Sequence, residues 1–293
     1  MGAFVPRGWR LVRLGGAAEP RLGAIDPAAP AVVRQLRERD PLAALERGLA
    51  RCAAEAVAEH VADDPATLAP LPLLTPLLPP EIWAAGVTYE RSRHARIEES
   101  ESSADVYARV YDAERPELFL KDAACRRTVG PNEAVAVRSE STWTVPEPEL
   151  ALVLGADGSI IAVTGGDDLT ARDIEAENPL YLPQAKLFSA CCSLGPALLV
   201  PDDLTAPFAI SVRIWNGEGA LVNEDATSTA AMHRSFEDLV EWCVRENPVP
   251  AGSVLLTGTG VVPPDDVALA PGYRIEVDVE GIGVLANPVR AAT

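Results

Sequence analysis

The sequence predicts an α+β protein: a mixed, β-rich sandwich or roll over residues 81–293, preceded by a small N-terminal α/β domain over residues 1–75. Three observations predict it. Short apolar runs with strand-like composition recur throughout the second part, helical stretches only interrupt them, and a proline-dense segment separates the two parts. Strands without regular helical crossovers argue against a doubly wound parallel sheet.

In chain order, residues 9–14 and 21–25 read as short strands, and the alanine- and leucine-rich stretch 41–61 reads as a helix. Prolines over 64–80 end that pattern and read as a linker. Beyond it, strands are expected at 82–87, 118–121, 149–154, 159–163, 197–200, 209–215, 253–257 and 274–279. The clearest helical stretches are 104–113 and 235–245; the second sets Phe236, Leu239, Val240 and Cys243 on one face.

Charge and composition exclude several classes of function. With 43 acidic residues against 25 basic ones, the 293-residue chain carries a formal charge of −18, which disfavours nucleic acid and anionic membrane as partners. No basic tract or aromatic stacking series offsets that charge. The apolar stretch 68–80 contains five prolines and is too short to span a bilayer as a helix. Cys52, Cys125, Cys191, Cys192 and Cys243 are odd in number and lack metal-ligand spacing, and no signal sequence opens the chain. A cytoplasmic location is expected.

The most informative chemistry lies at Glu147-Pro148-Glu149, which opens an apolar strand. Alternate residues of a strand share a face about 6–7 Å apart, so both glutamates converge. A turn around Gly155 to Gly158 and a second apolar run bring Asp168 back towards them. Three carboxylates without nearby histidine or cysteine point to a hard cation, Mg²⁺ first or Mn²⁺; a strand mouth with solvated acids is the alternative.

Other residues fit a site of that kind. Lys186, in a proline-bracketed loop, is placed to hold a substrate carboxylate or exchange a proton, or else is a solvated lysine. Thr257, in Leu256-Thr257-Gly258-Thr259-Gly260, is a candidate substrate contact at a strand end, although an ordinary turn accounts for the glycines and the phosphate-loop pattern is absent. Glu117, at the head of a short strand that Lys121 closes, is either a surface residue or a base facing a cavity. Tyr89, Glu90, Arg91 and His94 sit in a loop or helix start, where arginines can collect an anionic substrate. His60 on the first helix and His233 before another belong to no Ser-His-Asp arrangement, and Cys191-Cys192 reads as packing.

Taken together, Glu147-x-Glu149, Gly166-Asp167-Asp168-Leu169-Thr170-Ala171-Arg172-Asp173, Lys186, Ser193-Leu194-Gly195-Pro196, the Thr257 motif and Gly281-Ile282-Gly283-Val284-Leu285-Ala286-Asn287-Pro288-Val289 resemble the fumarylacetoacetate hydrolase superfamily over about 82–290. The resemblance implies that superfamily's β-rich C-terminal-like fold, a homodimer or higher homo-oligomer, and Mg²⁺ or Mn²⁺ on Glu147, Glu149 and Asp168, with Lys186 as the active-site lysine. Two departures stand out. Asp167 replaces the usual Asn, and Ser92 stands where the hydrolases' Asn-Tyr-x-x-His motif has its histidine; His94 is two positions late and does not inherit the role.

The segments around Tyr89, Glu117 and Lys186 are more similar to the branch containing 2-keto-3-deoxy-D-arabinonate dehydratase. That similarity implies a 2-keto acid substrate, dehydrated through a metal-stabilised enolate: a proton leaves C3, the C4 hydroxyl is eliminated, and tautomerisation gives 2,5-dioxopentanoate. Glu117 and Lys186 are the expected proton carriers, with base and acid unassigned, and Thr257, Arg91 and Ser92 the expected substrate contacts. The alternatives are an acylpyruvate-type carbon-carbon hydrolase or oxaloacetate decarboxylase on the same platform, and a non-catalytic relative that binds keto acid.

Overall fold

The computed structural model describes residues 4–16, 19–99 and 109–292. Its strands are β1 (Gly8–Leu14), β2 (Arg21–Ile25), β3 (Val32–Gln35), β4 (Ala58–Val61), β5 (Leu73–Leu74), β6 (Glu81–Gly86), β7 (Glu117–Ala123), β8 (Thr128–Val129) and β9 (Val135–Val137). There follow β10 (Thr144–Val145), β11 (Pro148–Leu154), β12 (Ile160–Asp168), β13 (Thr170–Ala171), β14 (Cys192–Pro201), β15 (Ala209–Trp215), β16 (Leu221–Ser228), β17 (Val254–Leu256), β18 (Arg274–Val279) and β19 (Gly283–Ala291). The helices are α1 (Pro41–Arg47), α2 (Leu49–Ala54), α3 (Glu90–Glu99), α4 (Arg172–Glu177), α5 (Leu182–Lys186) and α6 (Phe236–Val244).

Twelve described strands form one large sheet in the order β4, β3, β2, β1, β14, β12, β11, β17, β6, β7, with β5 on β1 and β8 on β14. A five-stranded sheet, in the order β16, β15, β18, β19, β9, packs against it, and β10 pairs with β13. Most pairings are antiparallel, but β17–β6, β14–β8 and β19–β9 are parallel, so the sheets are mixed as expected. The alternation of β11 shows how this architecture is specified. Leu150, Leu152 and Leu154 pack with Val212, Ile214, Ile275 and Val277 between the sheets, while Ala151 and Val153 pack on the opposite face with Leu49 and Cys52 of α2. Each such leucine contributes about 1.5–3 kcal/mol by burial. By the same alternation Glu149, and Glu147 just before the strand, continue the Ala151–Val153 face to its end.

Where a cap signal was present, the helices follow it. Ser235 caps α6 by accepting from Asp238 N, Glu237 and Asp238 sit in its first turn, and Leu239, Val240 and Cys243 are its buried residues. The expected helix over 41–61 is broken instead. Asp40 and Pro41 start α1, Gly48 at φ 89° ends it, α2 stops at Ala54, and the chain then joins the sheet as β4. His60 therefore lies in a strand, hydrogen-bonded to Gln35, and not on a helix.

The proline-rich 64–80 segment packs against the sheet through buried Leu68, Leu73 and Leu77, and β1 pairs with both β5 and β14. The first part of the chain thus extends the large sheet. Of the expected helix 104–113, residues 104–108 lie outside the described residues, and 109–112 are helical. Among the described residues, no helix is long and apolar enough to cross a membrane.

Candidate metal and substrate site

The turn at Gly155, where Gly155 N donates to Ser159 O at 2.7 Å, sends β12 back antiparallel to β11. That register pairs Pro148 with Asp167 and Glu149 with Gly166, and Asp168 N donates to Glu147 O at 3.0 Å. Glu147, Glu149 and Asp168 are all buried, and one ligand oxygen from each lies within 4.8 Å of the others. Glu149 Oε2 also accepts from Gly258 N at 2.6 Å. Gly258 is required there: its φ is +89°, and a Cβ would lie 2.1 Å from Thr88 Oγ1.

Like charges about 4 Å apart repel by about 4 kcal/mol at an effective dielectric of 20, so such a cluster needs compensation. Three buried cations supply part of it. Lys186 Nζ donates to Glu147 Oε2 at 2.5 Å and to Asp168 Oδ2 at 3.0 Å. Lys121 Nζ pairs with Asp168 Oδ1 and donates to Leu169 O and Lys186 O, and Arg172 Nη2 donates to Glu147 Oε1 at 3.3 Å.

Even so, the cluster is under electrostatic tension. Burial first, then the charge of Asp168, pushes the Glu149 carboxyl well above the usual range. Burial pushes Asp167 up to about 7, against the hydrogen bond it receives from Glu147 N. Burial also disfavours the Lys121 ammonium, but Asp168 outweighs it and raises that pKa. An all-oxygen donor set that is buried, convergent and rich in negative charge fits a hard dication such as Mg²⁺.

The sequence-predicted residues divide into two groups. Glu117, Ser92 and Lys186 line the same cavity as Glu147, Glu149 and Asp168. Glu117 pairs across the sheet with Gly86, where a Cβ would lie 2.1 Å from Glu117 Oε2. Ser92 is buried, and its hydroxyl donates to Tyr89 O at 2.8 Å. Lys186 ends the short helix α5, where a loop was expected.

Thr257 and Arg91 do not face the cavity. Thr257 Oγ1 donates to Leu150 O at 2.8 Å, so the side chain ties the end of β17 to β11, and Gly258 and Thr259 form the wall instead. Arg91 is exposed and binds Asp225 of β16 at 2.7 Å and Val262 O at 3.2 Å, anchoring α3 to the neighbouring sheet. His94 is exposed as well.

Sequence reasoning missed Lys121 and Glu175. Lys121 sits at a register shift, where Ile82 pairs with Asp122 and Trp83 with Leu120, leaving Lys121 as the extra residue. Bulges of this kind re-aim side chains beside active sites. The alternation Glu117, Phe119, Lys121 was the available signal, since the first two line the cavity. Glu175 lies three residues after Arg172 on α4, both are buried, and Glu175 lines the cavity. The free cavity volume is about 20 Å³, close to the room one water takes.

The match to known proteins agrees with this geometry. The fumarylacetoacetate (FAA) hydrolase C-terminal family model matches residues 81–290. The chain is 42% identical over 219 residues, 73% of each chain, to 2-dehydro-3-deoxy-D-arabinonate dehydratase of Saccharolobus solfataricus. It is 48% identical over 210 residues, 71% of this chain and 72% of the other, to a probable 2-keto-3-deoxyxylonate dehydratase of Haloferax volcanii. A solved structure of 2-keto-3-deoxy-D-arabinonate dehydratase, complexed with magnesium and 2,5-dioxopentanoate, superposes with a TM-score of 0.83 at 35% identity, covering 96% of this chain and 99% of that one. On the family match and on the carboxylates carried by β11 and β12, the chain belongs to the fumarylacetoacetate hydrolase family.

Proposed function

We propose that the protein is a Mg²⁺-dependent hydro-lyase that dehydrates a 2-keto-3-deoxy sugar acid of the 2-dehydro-3-deoxy-D-arabinonate type to 2,5-dioxopentanoate. One observation carries the reading: a chain similar over 96% of its length to a dehydratase complexed with magnesium and that product also buries three convergent carboxylates beside a lysine. Glu147, Glu149 and Asp168 are the residues that would hold the ion. When bound there, Mg²⁺ supplies the Lewis acidity that polarises a 2-keto group.

This chain's own residues do the rest. Lys186 Nζ acts as a hydrogen-bond donor in the cluster, which favours it as the group that protonates the departing C4 hydroxyl. Glu117, a carboxylate on the same cavity, is then the base that removes the C3 proton. Loss of water followed by tautomerisation gives the dioxo acid. Ser92 in place of a histidine leaves the cavity without the imidazole that hydrolysis in this family uses, which supports elimination over carbon-carbon cleavage. We further infer a cytoplasmic homodimer or larger homo-oligomer, with the catalytic unit at 81–293 and the small N-terminal unit at 1–75.

Purified protein, with and without Mg²⁺, is to be assayed on 2-keto-3-deoxy-D-arabinonate, an acylpyruvate and oxaloacetate. The expected result is metal-dependent 2,5-dioxopentanoate from the first. Turnover of acylpyruvate or oxaloacetate alone contradicts the reading, as does binding without any product. Deuterium exchange at C3 separates the two proton carriers: Glu117→Gln should abolish it, whereas Lys186→Met should retain it while elimination stops.

A further inference from the structure

We propose that Asp167 is a positioning residue that sets Glu147 for the dication, acting from behind the clamp through the Glu147 backbone and not through its own charge. The inference rests on the metal reading above. Continued one step beyond the pair Pro148 and Asp167, the register of β11 and β12 sets Glu147 opposite Asp168. A regular antiparallel pair of the hydrogen-bonded kind exchanges two backbone bonds. One of them runs from Asp168 N to Glu147 O at 3.0 Å. Glu147 N, which would complete the pair, donates instead to Asp167 Oδ1 at 2.8 Å, and Asp168 O accepts from Thr170 Oγ1.

Strand alternation turns Asp167 to the face opposite Asp168. It is not among the three residues whose ligand oxygens gather within 4.8 Å, nor among those that line the cavity, which places it outside both the ligand set and the wall. Asp167 is 1% exposed, and its Oδ2 has no hydrogen-bond partner among the described residues; nor has Oγ of Ser193, its cross-strand neighbour on β14. A buried carboxylate so poorly satisfied destabilises a fold, so packing does not account for it. Its bond to Glu147 does. Without that acceptor the Glu147 N–H is left unpaired in a buried place, and the backbone that carries a metal ligand loses one of its two ties to β12. An asparagine offers the same acceptor oxygen without the charge, so exchanging the two separates the bond from the charge.

Mg²⁺ is titrated by calorimetry into the full chain as wild type, Asp167→Ala, Asp167→Asn and Ser193→Ala. Asp167→Ala, which loses the acceptor, should bind Mg²⁺ about 10–100-fold more weakly, whereas Asp167→Asn, which keeps it, and Ser193→Ala, which leaves it untouched, should stay within about threefold of wild type. Equal losses in Asp167→Ala and Asp167→Asn overturn the inference, because the charge and not the bond then matters. A lower folding midpoint in Asp167→Ala with unchanged Mg²⁺ affinity overturns it too, as does a loss in Ser193→Ala that matches Asp167→Ala. Amide exchange at Glu147 in the metal-free protein decides the matter even where Asp167→Ala fails to fold. It should be equally slow in wild type and Asp167→Asn, and exchange about tenfold faster in the variant contradicts the bond. A wild type that takes up no Mg²⁺ overturns the metal reading and this inference together, while every other adverse result overturns the inference alone.

Discussion

The two sides of the cavity are built differently. The clamp comes from adjacent antiparallel strands, β11 and β12, whose register alone sets Glu147, Glu149 and Asp168 together, and every residue of β11 is buried. The rest of the wall comes from separate pieces: Ser92 near the start of α3, Glu117 on β7 and Glu175 on α4, while Lys186 at the end of α5 is tied to the clamp through Glu147 and Asp168. The register of two strands fixes the three carboxylates, whereas Ser92, Glu117 and Glu175 are carried by other elements. On the proposed function, the clamp holds the ion and the wall selects the reaction.

Substitutions should separate the two sides. Asp168→Asn or Glu149→Gln should weaken Mg²⁺ binding by at least about 100-fold, beyond what is typical for groups that merely support a ligand, and abolish turnover. Calorimetry with Mg²⁺ and a product assay check both. Glu117→Gln or Lys186→Met should lower kcat by about 10²–10⁴, the range of general acid–base catalysis. Of these two, Glu117→Gln should leave the Mg²⁺ affinity within about threefold of wild type.

Lys121 belongs to the clamp through Asp168. Lys121→Met should lower Mg²⁺ affinity by about 10–100-fold, as removal of an outer partner of a metal ligand does. If only the folding midpoint moves, the lysine supports the core and nothing more.

A separate effect, on stability and not on activity, concerns pH. In the metal-free protein Asp167 is held at about 7 and Glu149 is also raised, so between about pH 4 and 7 the folded state binds more protons than the unfolded state. Stability should therefore fall as pH rises through that window, by a few kcal/mol at most. Denaturant melts in EDTA at pH 5 and pH 8 check the sign. Asp167→Asn should flatten the dependence, and a melt that is steeper in the variant would contradict it.

The clamp was legible in the sequence because strand alternation and one tight turn are short-range patterns. The same holds for β15 and β18, where the observed strands run over the expected residues, 209–215 and 274–279. What failed depended on the rest of the fold. Residues 58–61 have helical composition, yet β3 offers them a partner strand. β16 is polar along much of its length because it is an edge strand, and it was not recognised. Lys121 follows the alternation Glu117, Phe119, Lys121, but the bulge that re-aims it arises from pairing with β6 and is not visible in the local sequence. Arg91 and Thr257 lie close in sequence to cavity residues, but one is turned to Asp225 and the other to the backbone of β11.

The most direct test of this division is Mg²⁺ binding measured side by side for wild type, Glu149→Gln and Glu117→Gln. A clamp independent of its wall predicts that Glu149→Gln loses the ion while Glu117→Gln binds it like wild type and fails only in product formation. Equal loss of Mg²⁺ in both variants, or retention in both, would contradict it.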